Sequence, residues 1–326
     1  MNAPSYRSAL SSHFEQFVAL KRACGTSYLS QARLLAQFDR YLVARRRKCV
    51  DESLVRDFVA SVDRLAARSR DNVFCVVWQA LEHARRHEGP VSGIPCRPNA
   101  PSPSPRRPYV LTDAEIDKFL GVASQKARAA PPLCPATYVA LFGLLLTTGL
   151  RVGEAVALNV KDLDAVNEVL VVRAGKFRKA RLVPIAGSAV AGLQDYIQRR
   201  RRHGHAPTPE DPLFVTATGS RFSVGKAWNA FRRLVDRAGL RDSAGRRPRV
   251  HDLRHTFAVR RVIAWHREGR DVNQLLSLLS TYLGHVGVQS TQLYLQPTGE
   301  LLAAAGTRFE AACAAAATPP GRTRGA

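Results

Sequence analysis

The side chains most able to do chemistry lie in four short segments of the second half of the chain. They combine Arg, Lys, His and Tyr, and they are TTGLRVGE at 147–154 with Arg151, GKFRKAR at 175–181 with Lys176, HDLRH at 251–255, and LGH at 283–285 with Tyr294 nine residues further on. Arg151 follows a glycine turn near a predicted helix start, where unpaired backbone N–H groups favour a phosphate. His251 and Arg254 stand three residues apart on a predicted helix, which makes them neighbours on one face.

Several common catalytic patterns are missing from the sequence. It holds no P-loop, no glycine-rich dinucleotide fingerprint and no Ser-His-Asp elbow. No acidic cluster resembles a two-metal site, and no Cys or His spacing matches a zinc site. If the protein acts on phosphoryl groups, side-chain cations must take the place of metal ions, and no metal or cofactor is expected.

Each of the four segments is a weak signal when taken alone, because an Arg after a glycine is more often a surface residue and a His on an amphipathic helix is more often structural. Taken together and in order, they resemble the tyrosine recombinase (phage integrase) family, whose catalytic set runs Arg, Lys, His-x-x-Arg, His, Tyr. The resemblance covers residues 109–300 and rests above all on HDLRH followed by LGH, eight residues and Tyr294. The STYLGH segment is similar to transposon-borne members of the family.

The resemblance assigns the phosphate-handling roles. It implies that Tyr294 attacks the scissile phosphate of DNA and forms a 3′-phosphotyrosyl link, which conserves the phosphodiester free energy and needs no ATP. It also implies that Arg151 and Arg254 hold the non-bridging oxygens with their forked donors. His285 is expected to donate a hydrogen bond to the phosphate.

The resemblance also assigns the proton transfers. Lys176 is expected to protonate the leaving 5′-oxygen, and His251 to assist proton movement at the nucleophile. The other cations of 175–181 should lower the pKa of this lysine by like-charge repulsion. Phe177 stands where many family members have glycine, and Lys179 is therefore the alternative general acid.

Three further assignments keep an alternative. Tyr282, within STYLGH, is the alternative nucleophile, although the spacing from histidine to tyrosine favours Tyr294. Glu154 either orients Arg151 or is simply solvated. His255 completes HDLRH but is expected to pack or to form hydrogen bonds structurally.

The chain is strongly basic. Its 326 residues include 49 Lys and Arg against 26 Asp and Glu, which gives a formal net charge of +23 and a pI near 10.8. This charge favours a polyanionic partner, and the family implies double-stranded DNA. The candidate DNA-binding residues outside the catalytic set are Arg45, Arg46, Arg47, Lys48, Arg178, Lys179 and Arg181. The first four end a predicted helix, so neutralising its negative end is their alternative role.

The element pattern predicts a mainly α protein with a small antiparallel β-sheet. Residues 1–88 have the apolar spacing of about four short helices, which suits the helical core-binding domain of the family. A Pro-rich linker is predicted at 89–108, followed by a mixed α/β catalytic domain at 109–300. Residues 301–326 are predicted to form a C-terminal helix and tail, packed on their own domain or exchanged between protomers.

Within the catalytic domain, local signals place individual elements. Thr112 and Glu115 form a capping box before an apolar run, which predicts a helix start. Residues 136–148 are nearly all apolar and predict a buried helix. Two β-like runs, 168–173 and 180–184, predict a hairpin with the 175–181 cations near its tip.

No apolar run reaches 18 residues and no signal pattern opens the chain, so membrane insertion and secretion are not expected. The six cysteines form no C-x-x-C pair and are interpreted as reduced thiols of a cytosolic protein. The hypothesis is a cytoplasmic, nucleoid-associated site-specific recombinase that acts on DNA as a homotetramer or with related protomers. The alternatives are a type IB topoisomerase-like enzyme that relaxes DNA and a non-catalytic DNA-binding regulator with the same fold.

Overall fold

The computed structural model describes residues 5–62, 64–65, 67–96, 108–125, 131–173 and 180–284. The chain divides into two compact units, 1–106 and 107–326. Helices dominate the described residues, and the three strands form one small antiparallel sheet. The predicted fold class is therefore confirmed.

Aromatic side chains hold the N-terminal unit together. Its described helices are α1 (Ser11–Ala23), α2 (Leu29–Ala44), α3 (Glu52–Ser61) and α4 (Ala67–Arg86). Phe38 of α2 is central, with its ring centroid 4.9 Å from Phe58 and 6.2 Å from Phe14. The side chain of Asp51 begins α3 by accepting a hydrogen bond from the Leu54 N–H (2.9 Å), as expected of an N-cap. These contacts agree with the bundle expected from the apolar spacing.

The first residues after α4 pack against this bundle. The Val50 N–H donates to the Pro90 carbonyl over 2.9 Å, and Val91 packs against the core of the bundle. The predicted linker, 89–108, thus begins with residues that belong to the N-terminal unit, because its few apolar side chains find a surface to cover. Residues 97–107 of that linker lie outside the described residues.

One apolar helix forms the centre of the second unit. The described helices are α5 (Asp113–Ser124), α6 (Leu133–Thr148), α7 (Val152–Ala157), α8 (Gly187–Arg202), α9 (Val224–Arg237), α10 (Val250–Arg267) and α11 (Val272–Leu283), with a 3-10 turn at Val160–Asp162. α6 packs against α5, α8 and α10. Its Phe142 meets Phe119 and Phe231 with ring centroids 5.6 Å away in both cases. The capping box predicted at Thr112 and Glu115 is present at the start of α5.

The sheet lies beside these helices. Its strands are β1 (Leu163–Asp164), β2 (Val169–Val172) and β3 (Arg181–Pro184), paired antiparallel in that order. Leu170 stands opposite Val183, and both are buried. The β2–β3 pairing confirms the predicted hairpin, whereas the two-residue β1 is too short to show a pattern. Residues 174–179 between β2 and β3 lie outside the described residues.

A glycine ends the helix that leads into the LGH motif. α11 continues to Leu283, and Gly284 ends it in the left-handed conformation. Among the described residues, no helix is both long enough and apolar enough to cross a membrane.

Candidate active site

Arg254 joins the ends of two helices. It lies near the start of α10 and is only 1% exposed. Its Nη1 donates to the Gly149 carbonyl (2.8 Å) and its Nη2 to the Leu283 carbonyl (2.7 Å). These carbonyls end α6 and α11, where backbone oxygens have no partner within the helix and the helix dipole is negative. The protein itself therefore fixes the position of this guanidinium group.

Gly149 makes that contact possible. It ends α6 with a φ of +62°, in the left-handed region that glycine adopts without strain. A Cβ at this position would lie 2.6 Å from Cδ1 of Phe257 and 2.9 Å from Cδ2 of Leu283. The close packing leaves no room for a side chain where the Gly149 carbonyl turns towards Arg254.

Glu154 lies between two arginines. Its side chain is 3% exposed, and its Oε1 accepts from Nη1 of Arg151 (2.9 Å) and from Nη1 of Arg181 (3.2 Å). Its Oε2 accepts from the Arg151 backbone N–H (3.1 Å) and from Nη2 of Arg181 (2.8 Å). Burial alone would raise the pKa of Glu154, but the bonds and charges of Arg181 and Arg151 lower it overall. Of the two sequence interpretations, orientation of Arg151 is the one that fits this geometry.

Three arginines donate hydrogen bonds to three successive backbone carbonyls at the end of α11. Arg181 Nε donates to Tyr282 (3.1 Å), Arg254 Nη2 to Leu283 (2.7 Å) and Arg151 Nη2 to Gly284 (3.1 Å). The three arginines come from β3, from α10 and from the residue just before α7. Cations at the negative end of a helix are favourable. The chain continues from this end directly into His285.

His251 precedes Arg254 by one helical turn and keeps part of its surface exposed at the start of α10. Partial burial of its ring lowers the pKa of His251, and the charge of Arg254 lowers it further. Its ring meets the edge of His255, with centroids 4.9 Å apart. Both effects favour the uncharged form of His251, which can accept a proton.

His255 has a structural setting, as the sequence suggested. The residue is buried, and burial followed by the proximity of His251 lowers its pKa to about 4. It therefore supports the His251 ring as an uncharged neighbour.

The side chain of Tyr282 is held by contacts within the protein. Its ring stacks on Phe257 with centroids 5.6 Å apart, and its hydroxyl donates to the Pro184 carbonyl (3.1 Å). Burial raises the pKa of Tyr282 to about 12. Both features make this hydroxyl a poor nucleophile, so they support the choice of Tyr294.

The structure thus brings two of the predicted catalytic residues, Arg151 and Arg254, to the end of α11, and His251 lies three residues before Arg254 on α10. The other predicted site residues of this unit that lie outside the described residues are Lys176, Arg178, Lys179, His285 and Tyr294. Their roles stay predictions, as does that of the C-terminal segment 301–326.

Two contacts of this site were not indicated by the sequence. The Glu154 carboxylate accepts the Arg151 backbone N–H, just before the start of α7. Arg181, predicted among the DNA-binding cations of the hairpin, has a side chain only 15% exposed and is paired with Glu154. Both contacts depend on the fold around Glu154.

In the N-terminal unit, Arg45, Arg46, Arg47 and Lys48 are all exposed directly after α2. The guanidinium group of Arg45 lies over the ring of Tyr41, 4.9 Å from its centroid. Both the helix-end role and DNA contact are compatible with this placement, and DNA contact stays a prediction.

Sequence reasoning did not single out the outer face of α9. Lys226, Trp228 and Arg232 are exposed there, and α9 begins beside α7, with Val224 Cγ2 3.9 Å from the place of a Cβ on Gly153. Basic residues around an exposed tryptophan on a strongly amphipathic helix were the available signal.

No group of three His, Cys, Asp or Glu side chains that could hold a metal ion occurs in the part of the chain described.

Comparison with known proteins gives concordant matches. The model of the phage integrase family matches residues 110–300. A putative integrase/recombinase y4rB of Sinorhizobium fredii is 35% identical over 91% of this chain and 95% of its own length. Tyrosine recombinase XerD of Mycobacterium leprae is 34% identical over 62% of this chain and 61% of its own. Among solved structures, the Tn1549 transposon integrase in complex with transposon right end DNA has a similar fold (TM-score 0.64, 19% identity, 91% of this chain and 99% of that one).

Proposed function

Because this chain belongs to the phage integrase family, we propose that it is a site-specific DNA recombinase that cuts and rejoins duplex DNA through a 3′-phosphotyrosyl intermediate. The observation that carries the proposal is the placement of Arg151 and Arg254 at the end of α11, with His251 three residues before Arg254 on α10. That helix leads directly into the LGH motif and on to Tyr294. Fixed cations, a histidine and a tyrosine next along the chain are the groups that this reaction requires.

In the cleavage step, the Oη of Tyr294 attacks phosphorus and the bond from phosphorus to the 5′-oxygen breaks. The tyrosine proton passes to His251, and Lys176 gives a proton to the departing 5′-oxygen. The product is a 3′-phosphotyrosyl enzyme and a free 5′-hydroxyl. Attack by the 5′-hydroxyl of a second strand reverses the step, so exchange needs neither ATP nor a metal ion.

Arg151 and Arg254 stabilise the charge that develops on the non-bridging oxygens, with a hydrogen bond from His285. Arg151 uses two of its five N–H donors on Glu154 and Gly284 and is 29% exposed, so it keeps donors for a phosphate. Donors fixed in advance need no reorganisation during the reaction, and losing one typically costs about 10²–10³ in rate.

The rest of the chain is assigned to holding DNA and a second protomer. The net charge of +23, the exposed cations at 45–48 and the basic outer face of α9 suit a duplex. Strand exchange needs two sites, so the active form is a homotetramer on DNA or an assembly with related protomers. A DNA substrate places the enzyme on the nucleoid, in the cytoplasm of a prokaryote.

A two-site plasmid assay tests this proposal. A site is first selected from random duplexes by binding, and two copies are placed on one supercoiled plasmid. Exchange between the copies in EDTA, giving deletion or inversion products, is the expected result. Relaxation of any plasmid without exchange would identify a topoisomerase instead, and binding without a covalent adduct would identify a regulator.

A further inference from the structure

Arg181 is more deeply engaged than a DNA-contacting cation needs to be. Its guanidinium group makes two parallel bonds to the Glu154 carboxylate, and its Nε donates to the Tyr282 carbonyl (3.1 Å). Three of its five donors are therefore used inside the protein. A paired arginine fork of this kind gives direction as well as charge.

The same side chain supports the backbone at the end of α11. A Cβ on Gly284 would lie 3.1 Å from Cζ of Arg181, so the guanidinium group rests against this glycine. Gly284 in turn accepts a hydrogen bond from Arg151 and immediately precedes His285. Arg181 therefore contacts Gly284, which accepts a hydrogen bond from Arg151 and leads to the next predicted catalytic residue.

Charge explains why the position of Arg151 depends on Arg181. Glu154 is buried and ionised, and it has two arginines to satisfy it. Without Arg181, its carboxylate would face Arg151 alone, and the stronger pull would turn Arg151 towards Glu154 and away from an incoming phosphate. A misplacement of about 1 Å in a catalytic group can cost about 100-fold in rate.

We propose that Arg181 is a positioning residue for DNA cleavage, which holds Arg151 in place through Glu154 and through the end of α11. The proposal rests on the recombinase function and names a residue outside its predicted catalytic set. It replaces the DNA contact that the sequence suggested for this arginine.

The test compares two substrates in single-turnover cleavage at saturating DNA. One carries the natural phosphodiester at the cut site, and the other carries a methylphosphonate, which lacks the negative charge that Arg151 neutralises. Arg151→Met gives the reference pattern: slow on the phosphodiester, and close to wild type on the methylphosphonate. Arg181→Met is expected to show the same pattern, with a loss of about 10–100-fold on the phosphodiester and an unchanged Kd for DNA.

Arg200→Met is the matched control. Arg200 is a buried arginine of α8 whose Nη1 donates to the Pro212 and Leu213 carbonyls. Its loss removes a comparable buried cation whose hydrogen bonds lie away from the site. This variant is expected to lose stability but to keep wild-type cleavage on both substrates.

A coupling measurement adds a second criterion. If Arg181 acts through Glu154, the double variant Arg181→Met with Glu154→Gln should be no slower than the slower single variant. If Arg181→Met does not fold, Arg181→Gln serves with the same readouts, because it also removes the charge and the paired fork but keeps a polar side chain.

Several results would overturn the proposal. An equal slowing on both substrates would indicate a purely structural role, and a weaker Kd with normal cleavage would indicate DNA contact. Cleavage at the wild-type rate by the Arg181 variants would show that Arg181 has no role in cleavage. A wild-type protein that forms no adduct with the phosphodiester would instead refute the recombinase function itself.

Discussion

Replacing Gly149 by alanine should damage the site through two separable effects. The left-handed φ of +62° costs a side chain about 1–2 kcal/mol. The new Cβ would also lie 2.6 Å from a ring carbon of Phe257, and overpacking of this kind costs about 1–3 kcal/mol. The sum is a loss of about 2–5 kcal/mol in the free energy of unfolding.

Two other glycines provide the controls. Gly239 has nearly the same φ, +63°, but the nearest atom to a Cβ there is the flexible end of Lys118 at 3.9 Å. Gly239→Ala should therefore lose only the backbone contribution, about 1–2 kcal/mol. Gly143, inside α6 with nothing within 4 Å of a Cβ, should gain about 0.5–1 kcal/mol as alanine.

Urea denaturation of the three variants and the wild type measures these differences. Covalent adduct formation below the unfolding transition adds a functional readout, because a shifted Gly149 carbonyl no longer holds Arg254. Gly149→Ala should be slower than Gly239→Ala in that assay. The reasoning fails if the two variants are equally stable, since the clash would then cost nothing.

Three further predictions concern charge, pH and metal. Neutralising residues 45–48 together should weaken DNA binding on all sequences. It should also reduce the slope of log K against log salt by about 0.9 for each DNA phosphate that these cations neutralise. An unchanged slope would show that these four residues do not contact DNA. The folded pKa of His255, about 4, lies below the ordinary value near 6.5, so the unfolded chain binds a proton first and stability should fall as pH drops from about 6.5 to 4, by up to about 3 kcal/mol. Above that range His255 adds no pH dependence; a His255→Gln variant should lose stability less steeply in urea denaturation, and an identical slope would contradict the assignment. Adduct formation should proceed equally in EDTA, and dependence on added Mg²⁺ would contradict cleavage by side-chain cations.

Local signals in the sequence were sufficient for most elements. The capping box at Thr112 predicted the start of α5, because a hydroxyl and a carboxylate three residues apart satisfy the first N–H groups of a helix. Apolar spacing predicted the bundle, a nearly all-apolar run predicted the buried α6, and two β-like runs predicted the β2–β3 hairpin. These features depend on neighbours within a few residues, so they can be predicted from the sequence alone.

The internal bonds of the site could not be predicted in this way. Arg254 and Gly149 are 105 positions apart, and Arg181 and Tyr282 are 101 apart. Spacing along a helix indicates which face a side chain occupies, but not which distant carbonyl that face meets. For this reason the sequence grouped Arg181 with the DNA-binding cations of the hairpin and did not indicate its ion pair with the buried Glu154 carboxylate.

The identity of the nucleophile is the most direct test of the mechanism. Wild-type protein incubated with a nicked suicide substrate should form a covalent adduct, and peptide mapping should find the nucleotide on Tyr294. Tyr294→Phe should bind the same DNA without forming an adduct, while Tyr282→Phe should still form one. An adduct that survives in Tyr294→Phe, or that maps to Tyr282, would contradict the mechanism.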